Sequence, residues 1–261
     1  MLGKLLRHEF YATGKNLLPI YGITIILSLL NRIITNVDIF NGPMGIISGL
    51  MLAAYVISII ATFIVTFIII ILRFYKNLMT DEGYLMFTLP VKPLQLINSK
   101  LITSIIWIIV SVITVFLSLL VLLANPQRIE IFKEFFEGIF YVFKGSFGDQ
   151  YILFTVELLL MIFISLIQQI LLIYLSIAVG HLFNGHKVLG SFVAYIVINS
   201  AIQILITIIM VIWSYLGGTT FEELSSIPRL IFPFTIVIGL TLSTLYYLAT
   251  NYIFSRKLNL E

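Results

Sequence analysis

Six long apolar runs constrain the fold of this chain more than any other feature of its sequence. Each run approaches or exceeds the roughly 20 residues that an α-helix needs to cross the hydrocarbon core of a bilayer. The runs cover residues 17–34, 46–72, 101–124, 151–180, 188–216 and 230–254. They are too long for strands and lack the period-two alternation of a membrane barrel. The sequence therefore predicts an all-α membrane protein with about six transmembrane helices, forming a single transmembrane domain over residues 1–261.

The composition agrees with this prediction and excludes several kinds of site. Charged residues make up 10% of the chain, against roughly 25% in soluble domains, so lipid must solvate much of its surface. The chain contains no cysteine, which excludes disulfides, thiolate metal sites and cysteine nucleophiles. A net charge of +3 is small, so the basic residues indicate orientation and not nucleic-acid binding.

The distribution of Lys and Arg predicts the orientation of the spans. With six spans, ten of the 15 basic residues fall on the side of the two termini and five on the other side. The first group contains Lys4, Arg7, Lys15, Arg73, Lys76, Lys92, Lys100, Lys187, Arg256 and Lys257. Because positive residues concentrate on the cytoplasmic side, we expect both termini in the cytoplasm.

Two further segments have amphipathic patterns. Residues 1–16 place apolar side chains among basic ones, which is typical either of a helix lying on the cytoplasmic face or of a basic start to the first span. Residues 125–150 contain apolar positions at helical spacing, with charges between them. These positions are Ile129, Phe132, Phe136, Ile139, Phe140 and Phe143. This second pattern predicts an amphipathic helix that lies on the outer leaflet or caps the bundle.

Known catalytic motifs are missing from the sequence. The pair Gly14-Lys15 is followed by Asn16 and lacks the glycine of a phosphate-binding loop, so we expect no ATP hydrolysis by this chain itself. There is no zinc-protease helix and no serine nucleophile elbow. His181 and His186 are five residues apart, and solvated loop histidines are a better interpretation than a metal pair. The sequence thus predicts no enzyme, no catalytic or metal-binding residue and no bound cofactor.

The most informative segment, residues 73–100, joins spans two and three. Thr80 suits the N-cap of a short helix, whose positive end Asp81 and Glu82 would complement. Pro90 would end that helix, and Pro93 suits the first turn of the next one. The apolar residues between them are Tyr84, Leu85, Met86, Phe87 and Leu89. We expect a short rigid helix whose apolar face fits a partner cleft, with a compact loop buried against the bundle as the alternative.

This segment resembles the corresponding loop of type-2 ABC exporter permeases, also called type V exporters. The resemblance rests on Asp81-Glu82-Gly83 and Thr88-Leu89-Pro90-Val91, followed by Ser99-Lys100-Leu101. It implies a coupling helix that docks into a separate ATP-binding subunit, which would hold the ATP and Mg²⁺. The implied coupling residues are Asp81, Glu82, Gly83, Tyr84, Leu85 and Phe87. The resemblance also implies a bacterial plasma-membrane location, export, and a second permease subunit that is either identical or related.

Polar residues inside the spans form stripes that either line a translocation path or bond helices together. Span two carries Tyr55, Ser58, Thr62 and Thr66, and span five carries Asn199, Gln203 and Thr207. The resemblance favours the path for both sets, since these spans line it in the family. Glu157 is an acid within span four, and we expect it to be tied to a polar partner or to water because a bare carboxylate in lipid is costly.

The sequence thus favours the membrane-spanning permease subunit of an ATP-driven ABC exporter. The alternative is an ion- or proton-coupled carrier or channel without an ATPase partner. Such a carrier would need a buried ionisable relay, for which Glu157 is the single candidate inside a span.

Overall fold

The structure is a computed structural model that describes residues 2–35, 45–79, 93–124, 126–183, 185–217 and 227–256. Helix accounts for nearly all of these residues, and no strand occurs among them. Seven α-helices follow one another along the chain, with a 3₁₀-helix at Gly148–Gln150 between α4 and α5. Their bounds are α1 Leu2–Thr35, α2 Gly45–Met79, α3 Pro93–Leu123, α4 Pro126–Phe147, α5 Tyr151–Gly180, α6 Lys187–Gly217 and α7 Ile227–Arg256.

Six of these helices are long and apolar enough to cross a membrane, namely α1, α2, α3, α5, α6 and α7. Each coincides with one of the six apolar runs, so the prediction of an all-α chain with six apolar helices is confirmed. Within each helix the backbone groups bond to one another, which is why uninterrupted helices are stable in lipid. The chain therefore has the make-up of a multi-pass membrane protein.

The N-terminal segment differs from the prediction of a separate interfacial helix at residues 1–16. Residues 2–16 form the first turns of α1, which continues without a break to Thr35 and includes Pro19. Residues 2–16 are thus continuous with the first span, and their position on the cytoplasmic face stays a prediction. Part of the reason for this continuity is that Glu9 and Thr13 are buried against neighbouring helices, so this segment is held by protein contacts.

The region between spans two and three is partly helical. Helix α2 extends to Met79, and α3 begins at Pro93, in the first-turn position predicted for that proline. The predicted coupling helix falls in residues 80–92, outside the described residues. The same is true of the six predicted coupling residues, Asp81, Glu82, Gly83, Tyr84, Leu85 and Phe87.

The predicted amphipathic segment at 125–150 contains the 22-residue helix α4. At 100° per residue, its acids and lysines occupy one side and its phenylalanines the other. Most described side chains of α4 are exposed on both sides. Its position on the outer leaflet stays a prediction.

The chain divides into two compact units. The first contains residues 1–73 and 98–141, and the second contains residues 74–97 and 142–261. In the first unit, the rings of Tyr21 and Trp107 meet beside Leu17 in the core, and Phe10 packs against Trp107. The indole N–H of Trp107 donates to the Thr13 hydroxyl over 2.7 Å.

In the second unit, α5 packs on both α6 and α7. The α5–α6 contact is close at Gly180, where an added Cβ would overlap the backbone of Ser191. The α5–α7 contact includes Gly239, which lies against Ile164. Small residues at these points let the helices approach closely, as is common between membrane helices.

Candidate functional site

Three charged side chains form a buried ion cluster in the first unit. The Glu9 carboxylate of α1 accepts hydrogen bonds from Lys100 Nζ of α3 at 2.9 Å and from Arg73 Nε of α2 at 3.1 Å. Glu9 is 3% exposed and Lys100 is 4% exposed. Charges are stable at such depth only when they are paired and hydrogen-bonded. The cluster therefore fixes α1 to the two helices that flank residues 80–92.

The ion cluster also fixes backbone positions near the ends of these helices. Lys100 Nζ lies 3.5 Å from the carbonyl oxygen of Arg73, to which it donates. Arg73 and Lys100 are the first and last residues of the 73–100 segment that the sequence singled out. Lys100 thus bonds α3 to the backbone of α2 near the predicted coupling region.

An aromatic stack holds the next residue of α2 in the second unit. The Phe74 ring is fully buried and stacks on the Tyr174 ring of α5, with centroids 3.7 Å apart and planes at 8°. The Phe254 ring of α7 lies 5.9 Å away at a tilt. Ring packing of this kind gives a large apolar contact with a defined geometry. The second unit therefore also anchors the helix that leads into residues 80–92.

His181 adjoins this aromatic stack just beyond the end of α5. Its ring lies 5.5 Å from the Tyr75 ring, and its Nε2 is buried without a hydrogen-bond partner among the described residues. Burial, and to a lesser extent the positive charge of Lys187, lowers the pKa of His181 to about 4. The imidazole is therefore neutral at neutral pH.

The polar stripe of span two faces the interior of the first unit. The Tyr55 hydroxyl is 2.9 Å from that of Ser118 on α3. The Thr62 and Thr66 hydroxyls lie 2.8 Å from Thr24 and 2.9 Å from Tyr21 on α1. Ser58 donates to the carbonyl of Tyr55. The bonds of Tyr55, Thr62 and Thr66 are the interhelical bonds that the sequence offered as the alternative to a path, whereas the Ser58 bond lies within α2. The role of the four residues in a path stays a prediction.

The polar stripe of span five has a different environment. Asn199 is half-buried, whereas Gln203 and Thr207 are exposed on α6. The Thr207 hydroxyl donates to the Gln203 carbonyl within the helix. No described residue makes a hydrogen bond to the Gln203 amide. The role of these three residues in a path stays a prediction.

Glu157 lies on α5 and is half-buried. Its Oε2 is buried, and no described residue donates a hydrogen bond to it. The protein partner expected from the sequence is therefore not found in the described part of the chain. No cluster of three or more metal-ligating side chains occurs there either.

Sequence reasoning missed Glu9, although a signal was present. Glu9 is the sole acid among the first 37 residues, and Lys4, Arg7, His8 and Lys15 surround it in the sequence. A single carboxylate in a basic segment next to a span is a candidate for pairing with a cation of another helix.

Comparison with known proteins gives no relative of this chain. No family model, no curated protein and no solved structure matches it. What is shown is the class of molecule: an all-helical chain with six apolar helices able to cross a membrane.

Proposed function

We propose that this chain is the membrane-spanning permease subunit of an ATP-driven exporter and works with a separate ATP-binding subunit. The observation that carries the proposal is the double anchoring of the region around residues 80–92. Within the first unit Arg73 and Lys100 bind Glu9, and within the second unit Phe74 stacks on Tyr174 beside the tilted ring of Phe254. A segment that only connected two spans would not need its helices to be fixed so firmly.

The anchoring suits the transmission of force. A partner whose two nucleotide states bind two positions of residues 80–92 with different affinity would shift the equilibrium between those positions, by at most that difference in binding free energy. Because Glu9 fixes α1 to both flanking helices, displacement of the loop would carry three helices together. The aromatic stack would pass the same displacement to α5 and α7. ATP and Mg²⁺ belong to the partner in this scheme.

A second permease subunit is part of the proposal. Gln203 and Thr207 are exposed on the largely apolar helix α6, and polar side chains in lipid usually face a protein or a cavity. A second copy or a related chain meeting α6 would cover these side chains and create a path between the two subunits. In this arrangement the termini are cytoplasmic, and the protein lies in a bacterial plasma membrane.

The proposal is tested by searching the neighbouring reading frames for an ATP-binding subunit and co-expressing that subunit with this chain. We expect the two chains to co-purify, and Tyr84→Glu to abolish the complex, since a buried unpaired charge costs several kcal/mol. Phe143→Glu on α4 is the matched control and should leave the complex intact. Membrane levels of both variants should equal those of the parent.

Two results would refute the proposal. If the Tyr84→Glu protein binds the ATPase and transports like the parent, residues 80–92 are not the coupling element. If no ATPase co-purifies with the parent chain, the exporter assignment itself fails.

The second candidate function is an ion- or proton-coupled carrier or channel, and Glu157 is the observation that favours it. A half-buried carboxylate in a span is a common element of ion pathways. Transport by this chain alone in liposomes, driven by a proton or ion gradient and lost in Glu157→Gln, would support this candidate against the exporter.

A further inference from the structure

A cavity of about 400 Å³ lies between α1 and α3 in the first unit, and a charged side chain lines it. The described lining residues are Ile25, Arg32, Leu117, Leu120, Val121 and Ala124. Ile25 precedes Arg32 by seven residues, and Leu117 precedes Ala124 by seven. Seven residues make about two helical turns, or about 10 Å. The cavity is therefore a groove that follows both helices.

The two ends of the groove differ in polarity. At one end the Arg32 guanidinium donates from Nη2 to the Ala124 carbonyl over 3.1 Å, directly after α3 ends at Leu123. Toward the middle of the spans the described lining is aliphatic, and Leu117 and Leu120 are 49% and 39% exposed along it. The groove therefore opens to the side of the spans and has a cation at the end where both apolar runs stop.

This arrangement matches the two parts of a phospholipid. A guanidinium has five N–H donors and binds a phosphate through two of them, so Arg32 can hold a phosphate and keep its bond to Ala124. No acid is among the described residues that line the groove. Basic pockets between membrane helices bind lipid headgroups, and open aliphatic walls at the depth of the spans suit an acyl chain. A free anion would use the cation and leave these walls uncovered.

We propose that this groove binds a phospholipid, with one acyl chain along Leu117 and Leu120 and the phosphate on Arg32. The lipid would belong to the leaflet at the C-terminal end of α1, and it would join the ends of α1 and α3. Its binding is a property of this chain alone and does not depend on the exporter assignment.

The test measures lipid binding to the full chain by native mass spectrometry. The protein is delipidated in a maltoside detergent and titrated with dioleoylphosphatidylglycerol. Two matched ligands separate the parts of the lipid, since dioleoylglycerol has the same chains without phosphate and glycerol phosphate has the phosphate without chains. We expect saturable binding of phosphatidylglycerol, at least about tenfold tighter than that of dioleoylglycerol, and no binding of glycerol phosphate.

Charge variants test the phosphate end of the site. Arg32→Gln should weaken phosphatidylglycerol binding at least about tenfold, because the hydrogen bonds to a charged group are lost. Arg32→Lys keeps the charge without the planar fork and should bind more tightly than Arg32→Gln. The matched control is Lys144→Gln, which removes one charge from an exposed position on α4 and should bind like the parent.

A second pair of variants tests the acyl-chain end and leaves Arg32 intact. Leu117→Trp should fill the groove and weaken phosphatidylglycerol binding at least as much as Arg32→Gln does. Val112 is 51% exposed on α3 and is not among the described lining residues, so Val112→Trp should bind like the parent. If Arg32→Gln melts below the parent in the absence of lipid, this pair decides the question.

Several results would overturn the proposal. They are equal binding of phosphatidylglycerol and dioleoylglycerol, equal binding of glycerol phosphate, equal lipid binding by the parent and a well-folded Arg32→Gln, and equal lipid binding by Leu117→Trp and Val112→Trp. The same spectra report the mass of the protein itself. A change from dimer to monomer in Leu117→Trp without loss of lipid would show that a second copy of the chain covers the groove.

Discussion

Replacing Glu9 by glutamine removes the one carboxylate of the ion cluster and keeps its shape. Lys100 is 4% exposed and would lose the Glu9 carboxylate at 2.9 Å. Breaking a buried ion pair by removing one partner typically costs about 3–5 kcal/mol. Arg73 is 26% exposed at its side chain, so water can replace more of its lost contact. We therefore expect Glu9→Gln to lower the free energy of unfolding by about 3–5 kcal/mol, most of it through Lys100.

Reversible unfolding of the purified protein in mixed detergent and SDS micelles, followed by circular dichroism, measures this change. The matched control is Glu137→Gln on α4, where the 3.7 Å pair with Lys133 is 67% and 73% exposed. Such an exposed pair contributes about 0.5 kcal/mol or less, so this variant should unfold like the parent.

A double-mutant cycle separates the ion pair from the loss of each side chain. Combining Glu9→Gln with Lys100→Gln should cost less than the sum of the two single changes, with a coupling of about 0.5–3 kcal/mol. The reasoning is refuted if Glu9→Gln unfolds within about 0.5 kcal/mol of the parent, or if the two changes are additive.

Three further predictions use the same preparation or intact cells. Gly180→Ala should lower the free energy of unfolding by about 1–3 kcal/mol, because its Cβ would overlap the backbone of α6. The control is Gly22→Ala, whose Cβ meets nothing within 4 Å and which should unfold like the parent. Equal stability of the two variants would contradict this prediction. The pKa of His181 is lowered to about 4, so its contribution to stability is complete above pH 6.5 and should be lost as the pH falls from 6.5 towards 4. His181→Gln should flatten that pH profile, and an unchanged profile would be the contrary result. Reporter fusions at Glu261 and Phe140 should report opposite sides of the membrane, and the same side would disprove the layout.

Hydropathy was sufficient to predict the six long helices, because lipid requires each span to bond its own backbone and to present apolar side chains. It was not sufficient at the N-terminus, where α1 extends back to Leu2. The charged residues there end the apolar run, but Glu9 finds its partners on α2 and α3. Tertiary pairing therefore continues a helix that local composition would end. The sequence could not predict the ion cluster of Glu9, Arg73 and Lys100 for the same reason. It shows that Glu9 is a candidate for pairing, but it does not show which cations of other helices lie beside it.

The polar residues within the spans divide into two groups. Some have hydrogen-bond partners inside the chain, and others receive no bond from a described residue. Thr62 of α2 is bonded within 3 Å by the hydroxyl of Thr24 on α1, so its desolvation is already compensated inside the chain. Gln203 and the Oε2 atom of Glu157 receive no such bond from a described residue. Since lipid offers no hydrogen bonds, a polar group that faces lipid in this state is costly and gains from any polar partner that reaches it. Compensated hydroxyls therefore hold the first unit together, whereas the exposed Gln203 amide of the second unit is where the proposed second subunit would bind.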